Sequence, residues 1–351
     1  MRIAFIAPHY APEVGGVARH VGELARAFAE DGHEVEVITQ CLARSLPREQ
    51  VIEGVLVRRF ASISHSSTYP FAPALFACVA RLRGRTIVHA HGYHALPALA
   101  SALARGAPAV LTPHYHGDGH TPLARALHRV YRAPGRRMVE RADRVICVSH
   151  PELALVERDF PGVTGRTRVI PNGVDRRALE AADPFAGTGR LILSAGRLEA
   201  YKRVDRVIEA MPLLDPAHRL VVLGDGPQLE PLRAQARSLG VADRVDLRGF
   251  VPDHELHRWL RTASVVVSLS SAEAYGLSVA EGLAAGAGVV ASSIPAHVDS
   301  FGSFAGVTLV PADAAPAAVA AAIAAARPGA SRVPSWDEVA AETLALYEEL
   351  A

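Results

Sequence analysis

The stretch SVVVSLSSAEAYGLSVAEGLAAG, from Ser264 to Gly286, decides the fold of this sequence. It opens with short β-branched and apolar residues, which predict a buried strand. The segment from Tyr275 to Ala285 has the pattern of a helix, and Gly286 is a typical stop signal. A strand that runs into a helix N-terminus presents free backbone N–H groups and the positive end of a dipole. The turn between them is therefore suited to bind phosphate.

Two carboxylates flank this turn. Glu273 lies just before the helix, where it can reach a neutral polyol beside a phosphate. Glu281 lies farther along the helix and can accept hydrogen bonds from vicinal hydroxyls. Such a pair suits a diphosphate that links a sugar to a ribose. An ordinary helix with a capping acid and a second acid on its wet face has the same spacing.

The composition narrows the class of protein. A length of 351 residues suggests about two domains, and 50% hydrophobic with 21% charged residues is typical of a soluble globular chain. The net charge of +1 gives no global field for a polyanion, so nucleic acid is not expected as a partner. Three cysteines without paired spacing favour a reducing compartment. The N-terminus reads as a strand rather than a signal peptide, so we expect a cytoplasmic protein.

Strand-like runs alternate with helical patterns along the whole chain. They are Arg2 to Ala7, Glu34 to Thr39, Val55 to Phe60, Thr86 to Ala90, Ala109 to Thr112, Arg144 to Val148, Val169 to Ile170, Leu191 to Ser194, Arg219 to Leu223, Val245 to Leu247, Val265 to Leu269, Gly288 to Ala291 and Val307 to Val310. Continuous apolar strands separated by helices predict parallel sheets covered on both faces. We expect an α/β protein of two doubly wound domains facing each other across a cleft. Ligands of such sheets bind outside the carboxyl ends of the strands.

The polar segment 172–190 separates the two sets of strands and is predicted to be the interdomain linker. The first domain is therefore expected over 1–175 and the second over 176–335.

Two further positions suit phosphate. The adjacent Gly15 and Gly16 in the first strand-to-helix loop let a phosphate or sugar approach bare N–H groups, although a tight turn without a ligand has the same pattern. In the second half, Arg197 and Lys202 follow a strand, and Lys202 is the only lysine among 37 basic residues. A compact ammonium beside a guanidinium suits phosphate oxygens.

Histidines cluster after two strands of the first half. They are His89, His91, His114, His116 and His120. An HxH pair with a third histidine could hold zinc, but no cysteine or acid joins the set at ligand spacing, so we predict no metal site. Packed loop histidines are the other interpretation.

The segment 121–144 is predicted to be a basic helix. Its arginines share one face unless Pro134 breaks the helix before the last of them. They are Arg125, Arg129, Arg132 and Arg136. A solvated charged face is one interpretation. Contact with an anionic acceptor or with the surface of a membrane is the other, and it would make the protein peripheral to the membrane.

The stretch from Glu273 to Glu281 resembles the E-x7-E signature of retaining GT-B glycosyltransferases, in particular glycosyltransferase family 4 (glycosyl transferases group 1). Tyr275 to Leu277 stand where the family usually has Phe-Gly-Leu. Ala274 and Ser278 replace the customary Gly and Pro, which tunes the turn without removing a ligand. The motifs that match extend from Gly15 to Glu281 and so cover most of the chain.

The resemblance implies roles for individual residues. Arg197 and Lys202 would neutralise a donor diphosphate, and His114 would contact the transferred sugar and support charge at its anomeric carbon. The implied catalytic residues are His114, Glu273, Arg197 and Lys202. The implied donor-binding residues are Gly15, Gly16, Arg197, Lys202, Phe250, Glu273, Tyr275, Gly276, Leu277, Ser278 and Glu281. The acceptor-side candidates are His91, His116 and His120.

The function that the resemblance implies is retaining transfer of a hexose from a UDP- or GDP-sugar to a hydroxyl acceptor in glycan, glycolipid or natural-product biosynthesis. No cofactor and no metal would be needed, and the C-terminal helix 336–351 would complete the first domain. Two alternatives share the same binding residues. One is a sugar-nucleotide epimerase of the same architecture, and the other is a non-catalytic protein that binds sugar nucleotides.

Overall fold

The computed structural model describes residues 1–13, 15–41, 45–63, 71–117, 122–187, 189–329 and 331–350. The side chains of residues 122–130 are outside this description. The chain forms two compact units, one of Met1–Asn172 with Trp336–Ala351 and the other of Gly173–Ser335.

The first unit is built on a mostly parallel sheet. Its strands, among the described residues, are β1 (Arg2–Ala7), β2 (Glu34–Cys41), β3 (Glu49–Ile52), β4 (Val55–Ala61), β5 (Thr86–His91), β6 (Ala109–Thr112), β7 (Arg144–Cys147) and β8 (Thr167–Val169). Their order across the sheet is β3-β4-β2-β1-β5-β6-β7-β8. Residues 3–7 of β1 are fully buried, because strands inside a parallel sheet are covered on both faces.

Helices cover this sheet. They are α1 (Gly16–Glu30), α2 (Pro73–Val79), α3 (Pro122–Arg141) and α4 (His150–Asp159). The buried residues of α1 recur at helical spacing, and its Phe28 ring lies parallel to the Phe5 ring of β1, with centroids 6.2 Å apart. This apolar stripe fixes α1 on the sheet.

One edge of the first sheet differs from the expectation of parallel strands throughout. β3 pairs antiparallel with β4 across a two-residue turn, and both turn residues have positive φ, 50° at Glu53 and 80° at Gly54. That geometry is typical of a tight β-hairpin. The sequence does not predict β3, because three of its four residues are exposed and it lacks an apolar run.

Helix α3 continues through Pro134, so the alternative of a break at this residue is excluded. A proline removes one backbone hydrogen bond, but close packing on the next turn compensates. A Cβ at Gly135 would lie 2.8 Å from both Tyr131 Cε1 and Tyr93 Oη, and the Tyr131 hydroxyl donates to the Tyr93 carbonyl. The helix is thus held against the unit on both sides of the proline.

Of the predicted basic face of α3, Arg132 and Arg136 are exposed. The side chains of Arg125 and Arg129 lie outside the described residues.

The second unit has a wholly parallel sheet in the described residues. Its strands are β9 (Arg190–Ala195), β10 (His218–Leu223), β11 (Val245–Gly249), β12 (Val265–Ser268), β13 (Gly288–Ser292) and β14 (Val307–Val310). Their order is β11-β10-β9-β12-β13-β14. Its helices are α5 (Arg176–Ala181), α6 (Val204–Ala210), α7 (Leu229–Ser238), α8 (Asp253–Thr262), α9 (Leu277–Ala284), α10 (Pro295–Phe301) and α11 (Pro316–Ala325).

The segment predicted as a linker, 172–190, is structured for much of its length. It contains α5, and the chain from Gly173 onward belongs to the second unit. The Val174 amide donates to the Pro334 carbonyl at 3.0 Å, and Arg176 Nε donates to the Val333 carbonyl at 3.2 Å. This polar segment is therefore held by backbone and side-chain hydrogen bonds and is not a free linker.

The last helix, α12 (Trp336–Glu348), belongs to the first unit and packs against α1. Its Tyr347 is fully buried, with the hydroxyl 2.5 Å from His89 Nδ1.

The prediction of an α/β protein with two doubly wound domains is confirmed. Each strand predicted from the sequence is present, with ends that differ by at most two residues. No helix of the described residues is long and apolar enough to cross a membrane.

Two glycines inside helices should respond oppositely to alanine. A Cβ at Gly282 of α9 would lie 2.7 Å from Val266 Cβ, whereas the nearest atom to a Cβ at Gly22 of α1 is 3.9 Å away. We expect Gly282→Ala to lower the free energy of unfolding by about 1–3 kcal/mol through overpacking. Gly22→Ala should raise it by up to about 1 kcal/mol through helix propensity. Calorimetric unfolding measures both. Equal stability of the two variants would contradict this packing.

Candidate active site

In the second unit, the predicted donor residues follow the carboxyl ends of three strands. Arg197 and Lys202 follow β9, Phe250 follows β11, and the stretch from Glu273 to Glu281 follows β12. The strands are parallel, and β9 lies next to β12. These residues therefore share the sheet edge at which doubly wound domains bind ligands.

A direct ion pair joins the loops after β9 and β12. Lys202 Nζ donates to Glu273 Oε1 at 2.6 Å, and their side chains are 22% and 16% exposed. Burial by itself would raise the pKa of Glu273, but the positive charge and hydrogen bond of Lys202 outweigh it and hold the pKa below its ordinary value. Glu273 is therefore a carboxylate at neutral pH, with a cation fixed beside it.

Tyr201 supports both basic residues, a role that the sequence did not reveal. Arg197 Nη2 lies 3.3 Å from the Tyr201 hydroxyl, and Lys202 Nζ lies 5.4 Å from the centroid of the Tyr201 ring. The Tyr201 carbonyl accepts a hydrogen bond of 2.8 Å from the amide of Ser271, three residues after the end of β12. The loop that carries the cations is thus tied to the strand that leads to Glu273.

Two glycines allow the Arg197 loop to pack closely on the loop after β10. A Cβ at Gly224 would lie 1.9 Å from the Gly196 carbonyl oxygen, and one at Gly226 would lie 2.6 Å from the Leu198 carbonyl oxygen. Both glycines also have positive φ, 125° and 154°. Only residues without a side chain fit there, so these glycines position Arg197.

Helix α9 begins at Leu277, two residues later than predicted from the sequence. Its N-cap is Gly276, with φ 120°, which has no side chain to cap the first turn. The amides of such a turn are free to bind an anion. A Cβ at Gly276 would lie 2.8 Å from His297 Cδ2, so this position too requires glycine.

The other predicted donor residues of this unit differ in exposure. The Tyr275 side chain is buried against Phe301, with ring centroids 5.1 Å apart, which leaves its backbone to meet a ligand. Glu281 is buried within α9, and Ser278 is partly buried. Phe250 is 58% exposed, as an aromatic ring that stacks on a base would be.

In the first unit, the predicted residues follow three adjacent strands. Gly15 and Gly16 follow β1 and open α1, whose first turn has no side-chain cap. His91 ends β5, and His114 follows β6. His91 Nδ1 lies 3.5 Å from His114 Nε2, and the two rings are nearly parallel. The structure thus brings His91 and His114 together.

The remaining histidine candidates are placed differently. The His116 ring stacks on His94, with centroids 4.9 Å apart. His120 and Val14 lie outside the described residues. Within the described part of the chain, no group of three or more His, Cys, Asp or Glu side chains is arranged to hold a metal ion.

His20 and His89 extend the pair of His91 and His114 into a buried cluster. The His20 ring centroid lies 5.1 Å from that of His91 and 5.2 Å from that of His114, and His89 lies 4.1 Å from His91. Burial and mutual repulsion lower the pKa of His91 and His89, and the same causes lower that of His114. These imidazoles are therefore neutral at neutral pH.

Glu152, at the start of α4, holds the loop that carries His114. Its two carboxyl oxygens accept hydrogen bonds from the Tyr115 amide at 2.5 Å and from the Val148 amide at 2.6 Å. His114 itself has a φ of 47°, which is uncommon for a residue with a side chain. Burial raises the pKa of Glu152 to about 8. No motif in the sequence indicates this role of Glu152.

Comparison with known proteins identifies the family. A model of Glycosyltransferase Family 4 matches residues 14–177, and one of Glycosyl transferases group 1 matches residues 175–327. Glycogen synthase of Mycobacterium tuberculosis is 32% identical over 326 residues, which cover 84% of this chain and 78% of that protein. The chain belongs to glycosyltransferase family 4. Its activity is glycosyl transfer from a nucleotide sugar.

Solved structures show the same GT-B fold in this family 4 glycosyltransferase. Sucrose-phosphate synthase from Thermosynechococcus elongatus matches with a TM-score of 0.79 at 21% identity, covering 99% of this chain and 98% of that one. HepE of Anabaena in complex with UDP and glucose matches with a TM-score of 0.71 at 17% identity, covering 99% and 95%. The predicted fold class is confirmed.

The buried histidines should make this glycosyltransferase sensitive to acid. Burial lowers the pKa of His20 to about 4, so the unfolded chain binds more protons than the folded one between about pH 4 and its ordinary pKa of 6.5. The contribution of His20 to stability is complete above pH 6.5 and is lost as the pH falls toward 4. The raised pKa of Glu152 makes its contribution to stability fall as the pH rises, which is opposite to the effect of His20. A variant of His20 is therefore needed to separate the two effects.

We expect His20→Gln to lose stability less steeply than the intact protein between pH 6.5 and 4. Chemical unfolding at several pH values measures the slope. The absolute stability at pH 8 serves as the reference for each protein. Parallel slopes for the two proteins would contradict a neutral, buried His20.

Proposed function

We propose that this glycosyltransferase moves a hexose from a UDP- or GDP-hexose to a hydroxyl acceptor, with retention of the anomeric configuration and without a metal ion. The observation that carries the proposal is the Lys202–Glu273 pair beside the uncapped first turn of α9.

The leaving group of this reaction is a nucleoside diphosphate, so charge stabilisation is the main demand on the protein. Lys202, the exposed guanidinium of Arg197 and the amides of Gly276 and Leu277 supply that stabilisation. In the free protein Lys202 is already ordered by Glu273. A diphosphate would share this cation rather than order it anew, which reduces the entropy lost on binding.

The two acids would bind the sugars on either side of the diphosphate. Glu273 is ionised and can accept hydrogen bonds from hydroxyls of the transferred hexose. Glu281 would accept them from the ribose, and the exposed Phe250 would lie against the base.

For the first unit, we propose that His114 contacts the transferred sugar. Its neutral imidazole does not repel the positive charge that develops at the anomeric carbon as the bond to the leaving oxygen breaks. In a same-face displacement the acceptor oxygen forms its bond to that carbon on the side from which the diphosphate leaves. The acceptor's proton passes to a departing phosphate oxygen, so no protein nucleophile takes part.

The acceptor would be a sugar, a lipid-linked glycan or a small molecule that presents a hydroxyl group. A lipid-linked acceptor would require a cytoplasmic enzyme peripheral to the membrane. The exposed Arg132 and Arg136 of α3 support such contact with an anionic surface.

A donor screen tests the proposed reaction. The protein is incubated with UDP-, GDP- and ADP-hexoses without an acceptor, and products are followed by mass spectrometry and NMR. We expect slow hydrolysis of one donor, release of the sugar with the donor's anomeric configuration, and no change of rate when EDTA is added. Formation of a new epimer would instead establish the epimerase alternative, and inversion would exclude the retaining mechanism.

Lys202→Ala should lower kcat/KM by about 10²- to 10³-fold, because one group that stabilises the leaving diphosphate is lost. The matched control is Arg206→Ala, which removes the cation of another partly exposed pair, with Glu209 at 3.3 Å, outside the site. Both changes should lower stability by no more than about 1–2 kcal/mol. Steady-state kinetics with the donor found above compares them. Wild-type turnover by Lys202→Ala would show that the diphosphate binds elsewhere.

A further inference from the structure

His297 of α10 is a buried histidine whose neutral tautomer is fixed by its neighbours. The side chain is fully buried, and Nδ1 lies 3.0 Å from the Ser292 carbonyl oxygen. A carbonyl can only accept, so Nδ1 carries the proton and Nε2 carries a lone pair. Among the described residues, Nε2 is buried without a hydrogen-bond partner. Such an atom is uncommon in a folded protein and calls for an explanation.

The unpartnered nitrogen faces the predicted phosphate turn. A Cβ at Gly276 would lie 2.9 Å from His297 Nε2 and 2.8 Å from Cδ2, so the ring packs directly on the backbone of this glycine. Gly276 is the N-cap of α9, and its amide and that of Leu277 are the groups assigned to the diphosphate. Nε2 therefore lies immediately behind the place where the negative charge of the donor would arrive.

The same ring is connected to the strand that leads into the turn. Ser292 Oγ lies 3.3 Å from His297 Nδ1 and donates to the Ser270 carbonyl at 2.5 Å. Ser270 follows β12 and precedes Glu273 by three residues. This network holds the Nδ1 side of the ring in place and leaves only Nε2 free to change its state.

Burial keeps His297 neutral before a ligand binds. Burial lowers the pKa of His297, Glu273 and the Ser292 carbonyl raise it, and Lys202 lowers it. The net direction is downward. The imidazole is therefore uncharged in the free protein, and additional negative charge in the turn would favour its protonation.

We propose that His297 takes up a proton at Nε2 when a nucleoside diphosphate binds at the first turn of α9. The inference rests on the proposed function, since it assigns that turn to the diphosphate. The proton comes from solvent and returns to it when the nucleotide leaves. His297 acts through the Gly276 backbone and is a positioning residue, which adds a positive charge behind the leaving group only while that group is bound.

Calorimetric titration with UDP tests the proposal. Binding enthalpies are measured near pH 7 in buffers of different ionisation enthalpy, and their slope gives the number of protons taken up. The variant His297→Asn keeps a side-chain amide that can donate to the Ser292 carbonyl. We expect the intact protein to take up more protons than His297→Asn, by up to about one per UDP. Ionisation of UDP itself contributes equally to both proteins and cancels.

Uridine is the matched control ligand, because it lacks the diphosphate. With uridine the two proteins should take up the same number of protons. The UDP affinity of the intact protein should also rise as the pH falls, by up to about tenfold per pH unit more than that of the variant. Equal proton uptake with UDP in the two proteins would overturn the proposal.

A second measurement covers the case in which His297→Asn does not fold. The ¹⁵N NMR spectrum of the histidine side chains reports directly whether Nε2 of the intact protein carries a proton. We expect this resonance to move to the protonated position on addition of UDP. An unprotonated Nε2 in the UDP complex would overturn the inference alone. Absence of binding by UDP, GDP and ADP would instead overturn the proposed function.

Discussion

The ion pair between Lys202 and Glu273 is the interaction on which the candidate site depends. It joins loops that follow two adjacent parallel strands, β9 and β12, at a distance of 2.6 Å. The adjacency follows from the sheet order, in which the chain leaves β9 for β10 and β11 and returns beside β9 as β12. Residues 71 positions apart in sequence thus become direct partners. An isolated pair of this exposure adds little stability, so in the proposed reaction its value would lie in ordering the groups that meet the ligand.

Close backbone packing fixes the positions of the loops that carry Lys202 and Glu273. Gly224 and Gly226 let the loop of Arg197 approach the neighbouring loop, and Gly276 lets the turn before α9 pack on His297. In the first unit Glu152 fixes the loop that carries His114, because its carboxylate accepts hydrogen bonds from two backbone amides. The Glu152 carboxylate is buried, and it is satisfied by backbone amides rather than by solvent. Such supports fix geometry because displacing them would leave buried amides or carbonyls without partners.

Much of the fold could be predicted because its signals are local. Strands in the parallel sheets are continuous apolar runs, whereas β3 is polar, exposed and recognisable only by its pairing with β4. Lys202 stood out as the only lysine. The supports could not be found this way. His20 meets Asn172 across 152 residues, and nothing near Glu152 in sequence shows which amides it accepts from. Contacts of that kind exist only once the strands are ordered.

In the proposed reaction the two units solve opposite electrostatic problems by opposite means. There the second unit would meet the negative charge that grows on a departing diphosphate with cations and with the amides at the start of α9. In the same proposal His114 of the first unit would contact the carbon that becomes positive, where a charged imidazolium would be unfavourable. Burial among other imidazoles removes that charge, because protonation of any one ring is opposed by desolvation and by its neighbours. The histidine cluster is therefore better understood as a means of keeping His114 uncharged than as a set of separate ligands.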